Sequence, residues 1–192
     1  MTTQIWHQVI RQDIEDAAGN PHIVELLRHW HDTRLARARA PMAMFHAGRW
    51  PALHRRMMML RREGSDFVYG HYGSEIARYS SRGDMTGRRV SDFGGRLAGF
   101  FLDCYQDALA HDQPLYTVHV SDQSQTVFTW ERLILPLSSP DDQDWLLVYG
   151  HPLQMRHQLL ESVLDATSDA LLALRRVRDA QGADLGWMVL VT

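Results

Sequence analysis

The sequence predicts an α+β fold: a five-stranded antiparallel sheet with helices packed on one face, a helical extension at the N-terminus and a linker helix at the C-terminus. Three observations carry this prediction. Apolar residues recur three and four apart as far as Arg39, they alternate with a period of two from Met57, and the later segments run in the order two strands, helices, three strands.

Trp6, Val9, Ile10, Ile14 and Ala17 have helical spacing, and Gly19, Asn20 and Pro21 end the pattern, so residues 1–20 read as a short amphipathic helix. Ile23, Leu26, Leu27, Trp30 and Arg34 repeat the spacing and predict a second helix to about Arg39, before Pro41. MMMLRR and DFVYGHYG, parted by Glu63, Gly64 and Ser65, read as a hairpin. SEIARYSS is a brief helix, with Ser74 placed to cap it, and Gly83 to Gly87 form a turn before the longer helix RLAGFFLDCYQDALAHD. PLYTVHVS, QTVFTWERLILPL and DWLLVYG supply three more strands. In the middle one, alternation puts Glu131, Leu133, Leu135 and Leu137 on one face and Arg132, Ile134 and Pro136 on the other.

Composition narrows the chemistry. The 192 residues, 45% hydrophobic and 22% charged, are those of an ordinary globular protein, and a net charge of -3 offers no bulk attraction to nucleic acid. All 20 basic residues are arginine, which removes P-loop lysines, Schiff-base chemistry and lysine general bases. The single cysteine, Cys104, rules out an intramolecular disulfide and a thiolate zinc cluster. Acids at Asp13, Glu15 and Asp16 are unlike a signal peptide, and no apolar run approaches the roughly 18 residues of a membrane span, so a cytoplasmic location is expected. No nucleophile elbow, G-x-G-x-x-G or acid-histidine constellation is present, and the protein reads as a non-enzyme.

Four stretches carry a resemblance: WHDTRLARARAP (Trp30 to Pro41), FVYGHYGSEIARY (Phe67 to Tyr79), GDMTGRRVSDF (Gly83 to Phe93) and WERLILPLSS (Trp130 to Ser139). In this order and spacing they resemble the PAS domain family, in particular a proteobacterial subgroup with an N-terminal Trp-Arg helix and an L-P-L strand. The resemblance implies a bacterial sensor over residues 21–152 that binds a small molecule between sheet and helices, or dimerises, and controls a downstream output. That output would be a diguanylate cyclase, phosphodiesterase or histidine kinase in the same polypeptide, outside this chain. No motif indicates a cofactor. Cys104 sits in FLDCYQDA rather than the light-sensing flavin context, and C-x-x-C-H for covalent haem needs a second cysteine.

The pocket candidates are Phe67, Tyr69, His71, Phe100, Cys104 and His119. Phe67, Tyr69 and His71 alternate on a strand whose row faces the pocket in the resembling family, which also makes His71 the one candidate ligand for a b-type haem. Phe100 and Cys104 lie on one face of the long helix, and His119 alternates with Leu115 and Thr117. For each, plain core packing is the competing reading, and no metal site is expected. Two other functions remain open: a dimerisation module with a filled core, and an arginine-dependent nucleotide or nucleic-acid binder. The second draws on eight arginines without an acid between Thr33 and Arg62.

Past Gly150, Leu153, His157, Leu160, Leu164, Thr167, Leu171 and Leu174 follow heptad spacing and would make one long coiled-coil helix. The alternative is a linker helix over 153–168 and a hairpin over 169–192 that opens a second PAS-like domain continuing past Thr192. Asp179 to Gly182 is poor helix sequence and the last stretch is β-rich, which favours the second reading.

Overall fold

A computed structural model of the protein describes residues 7–34, 39–121, 124, 126–163 and 165. The chain divides into two compact units, Met1–Gln154 and Met155–Thr192. In the second, residues 156–163 are helical, with Leu160 and Val163 exposed. The proposed hairpin over 169–192 lies outside the described residues.

The first unit is α+β. Its strands are β1 (His7–Ile10), β2 (Ala40–Pro41), β3 (Met57–Glu63), β4 (Asp66–Tyr72), β5 (Leu115–Val120), β6 (Val127–Ser138) and β7 (Trp145–Met155). They form one sheet in the order β1-β5-β6-β7-β3-β4, with β2 parallel to the end of β6. The pairs β1/β5, β5/β6, β3/β7 and β3/β4 are antiparallel. The five strands expected from the sequence are contiguous within it.

The N-terminal segment departs from expectation. Residues 7–10 are a strand, not a helix, with Val9 opposite Thr117 on β5, and among the described residues before Gly19 only Ile14–Ala17 (α1) is helical. Helical spacing over so short a stretch is overridden by the unpaired backbone that the edge of β5 would otherwise present.

Helix α2 (Pro21–Thr33) starts where Asn20 accepts the His22 amide at 2.8 Å and Pro21 fills the first turn. It ends at Thr33, short of Arg39: the Thr33 hydroxyl donates back to the His29 carbonyl, and Arg34 is already extended. Its stripe of Ile23, Leu26, Leu27 and Trp30 packs with Phe45, Leu53 and Met57 against Leu133, Leu135 and Leu137 of β6. The Trp30 indole donates to the Pro136 carbonyl at 2.8 Å, and Ala40 pairs with Leu137. The tryptophan helix and the L-P-L strand are therefore two halves of one contact.

Helices α3 (Ser74–Tyr79) and α4 (Gly95–His111) cover the opposite face of β6. The sheet is thus sandwiched, which corrects the expectation of helices on one face. Both alternating sets of β6 are buried for that reason: Leu133 and Leu135 under α2, Arg132 and Ile134 under α4.

Candidate functional site

Between the α3/α4 layer and the sheet lies a cavity of about 30 Å³, room for about two waters. Its floor is Trp130 and Arg132 of β6, His119 of β5 and Gly150 of β7, and its walls are Tyr72, Ile76 and Tyr79, Phe93, Leu97 and Phe101. A methyl group on Gly150 would stand 3.2 Å from the Ile76 side chain, so glycine there keeps the floor open.

Arg132 is the chemically distinctive residue. It is 6% exposed, its guanidinium carbon lies 3.7 Å over the Phe101 ring, and Nη1 donates to the Tyr105 hydroxyl at 3.3 Å. Nε has no partner, and no described residue brings a carboxylate into ion-pair range. Its neighbour Glu131 cannot serve. Strand alternation sends Glu131 to the other face, where it accepts from the Tyr116 hydroxyl at 2.8 Å and the Gly19 amide at 3.1 Å. Burial there raises the Glu131 pKa despite both bonds. Two adjacent and opposite charges are thereby insulated from each other by the sheet.

The cavity's other groups are held neutral. Burial first, and the Arg132 charge second, push the His119 imidazole well below its usual range, and its Nδ1 also lacks a partner. Burial raises Tyr72 to about 12 and Tyr69 well above the ordinary phenol range. Cys104 is raised to about 12 by burial, so it is an unreactive thiol at neutral pH.

Of the six sequence candidates, His119 lines the cavity. Phe67 and Tyr69 point to the same face: Phe67 meets the Tyr105 ring edge-on and Tyr69 meets Tyr72. Phe100 packs instead on the rings of His7 and His119, behind the cavity wall that Phe101 forms. Cys104 is buried in the α4 interface, outside the lining.

The expectation that His71 faces the pocket is corrected. Met59 pairs with His71 but Leu60 with Tyr69, so Gly70 is a bulge that breaks the period of two. His71 consequently turns to the α2 face, where it stacks on His54 at 4.0 Å, and Tyr72 takes its place in the cavity. A haem held by His71 within the cavity does not fit this placement.

Sequence reasoning missed Arg132, Trp130, Tyr72 and Phe101. One signal was present: a single arginine immediately before the apolar run LILPL of a long strand, on the face opposite Glu131.

The basic tract has its own account. Arg39 pairs with Asp112 and Asp144, Arg55 and Arg56 with Glu75, Arg61 with Glu63 and Arg62 with Asp144. Five of the eight arginines are therefore paired with carboxylates: Arg39, Arg55, Arg56 and Arg62 bridge separate segments, and Arg61 pairs within β3.

A scan against protein-family models finds no match to this chain, and neither does a search of curated proteins. Among the described residues, no helix is long and apolar enough to cross a membrane.

The buried histidines predict a pH dependence. His119 has a folded pKa well below the ordinary 6.5, so the unfolded chain takes up the proton first as pH falls. Its contribution to stability is complete above pH 6.5 and is lost as pH drops below it. His151, lowered to about 4 by burial and then by Arg56, acts in the same sense between 6.5 and 4. Glu131, with a raised pKa, opposes both at the acid end, so the useful quantity is a difference. Between pH 7.5 and 5.5, urea unfolding of the wild type should lose about 1 kcal/mol more than that of His119→Asn. Parallel pH curves for the two proteins would show that His119 does not titrate as its burial demands.

Proposed function

We propose that residues 21–152 form a PAS-like sensor domain of a bacterial signalling protein that acts without chemistry of its own. It binds a small molecule in the cavity beneath α3 and α4 and passes occupancy to a downstream output. One observation favours this over a purely structural module. In a core filled only by its own side chains, a buried cation finds a carboxylate partner, whereas Arg132 and His119 both line the cavity and their Nε and Nδ1 are buried without a hydrogen-bond partner. In this reading the domain is cytoplasmic and self-associating, and the 156–163 helix, with Leu160 and Val163 exposed, carries the signal. A ligand needs about 1.4 kcal/mol of preference for one state to move its equilibrium tenfold, which one or two hydrogen bonds supply.

The test is amide NMR of the labelled protein against a metabolite library. Binders should shift Phe101, His119 and Arg132 together. A library in which no compound moves these three, or in which binders perturb only other surfaces, would sink the sensor reading.

A further inference from the structure

Arginine cannot shed its proton inside a protein, so Arg132 stays charged where burial is costly. The Phe101 face and one long bond from Nη1 to a neutral phenol compensate it in part. The guanidinium plane is set by those two contacts, and they leave the edge that carries Nε unengaged. A planar group with two acceptor oxygens and a negative charge matches such an edge bidentately.

We infer that the cavity binds a small monocarboxylate, no larger than acetate, with its carboxylate on Arg132. The inference rests on the sensor reading of the same cavity and specifies its ligand class. Neutral His119 supplies a second polar contact beside the guanidinium. Away from Arg132 the lining is mixed: Ile76, Phe93, Leu97 and Trp130 offer a methyl group an apolar wall, and Ser80, Ser121 and Ser124 add hydroxyl residues but no second cation. A volume of about 30 Å³, room for about two waters, limits the ligand to the smallest carboxylates, and one cation in so small a space disfavours phosphate and dicarboxylates.

Thermal shift at constant ionic strength separates the alternatives, with sodium formate, acetate, propionate, phosphate and succinate as anions and acetamide as the neutral match for acetate. Formate or acetate at tenfold over Kd should raise the wild-type Tm by about 3 °C or more, with acetamide, propionate, phosphate and succinate inactive. Arg132→Met, close in length and apolar, should be at least as stable as the unliganded wild type and lose the carboxylate response. Arg132→Lys keeps the charge but loses the fork, and should bind at least 10-fold more weakly, which covers the case in which the Met variant fails to fold.

Equal responses to acetate and acetamide, an undiminished response in folded Arg132→Met, or a response to phosphate alone would overturn the carboxylate class. The sensor reading would survive if library compounds still shifted Phe101, His119 and Arg132. If no carboxylate acts and no compound moves those amides, both fall.

Discussion

Gly73→Ala should destabilise the protein by about 3 kcal/mol or more, although the substitution adds one methyl group to a residue with ordinary dihedrals. Gly73 ends β4 and caps α3 at φ -57 and ψ 135, values open to any residue, so conformational freedom is not what requires glycine. Close approach is. A Cβ there would lie 2.4 Å from the Arg55 carbonyl oxygen, 2.7 Å from its carbon and 2.8 Å from the Met57 oxygen. All three are backbone atoms, and the nearest belong to the segment that feeds β3, so no side-chain rotation relieves the clash. Gly64 is the natural control. It has a positive φ of 67 but nothing within 4 Å, so Gly64→Ala carries backbone strain alone and should cost about 1 kcal/mol. Urea midpoints of the two variants measure the contrast, and equal losses would mean that the strand-to-helix corner yields. Because α3 forms one wall of the cavity through Ile76 and Tyr79, Gly73→Ala should also weaken binding there more than its stability loss alone explains.

How far the sequence reveals the protein depends on where local periodicity decides structure. Strands β3 to β6 and helices α3 and α4 are bounded by turn residues and fall close to where their periods place them, whereas β7 runs on past Gly150 to Met155, through the first residues of the expected linker helix. The first strand is legible only through its partner, since four residues around Val9 fit a helix as well as a strand until β5 is known to need an edge neighbour. Which face a helix covers is likewise a tertiary matter. The run LILPL is apolar in both alternating positions, which is consistent with burial on both sides, yet nothing local says that α2 takes one side and α4 the other. That ambiguity hid Arg132. On a sheet with one open face, the row opposite Leu133 and Leu135 would be solvated and its arginine unremarked; between two layers the same residue is a buried charge. His71 failed for a smaller reason, as one bulged glycine inverts every side chain after it, and DFVYGHY read with an unbroken period of two puts the wrong ring in the cavity.

Trp30→Ala is the second large effect and should cost about 4–5 kcal/mol. Trp30 is fully buried in the α2 core, so truncation leaves a cavity among Leu26, Leu133 and Leu137, for which tryptophan-to-alanine changes cost about 3–5 kcal/mol. It also removes one of two donors to the Pro136 carbonyl. The parallel pairing of Ala40 with Leu137 brings the Ala40 amide to that oxygen, and the indole donates to it as well, at 2.8 Å. Trp30→Phe isolates this second loss: most of the volume remains while the indole donor goes and the Ala40 amide stays, and about 1 kcal/mol should be lost. The difference between the two variants then measures packing, and the Phe variant measures the bond. Both read as urea midpoints with an unchanged slope. Trp30 and the cavity lie on opposite faces of β6, so the Phe variant should keep the wild-type ligand response although it is less stable. If it instead abolishes that response, the L-P-L end of β6 transmits between the two faces, and the sandwich is one coupled unit rather than a scaffold under α2 with a binding layer under α4.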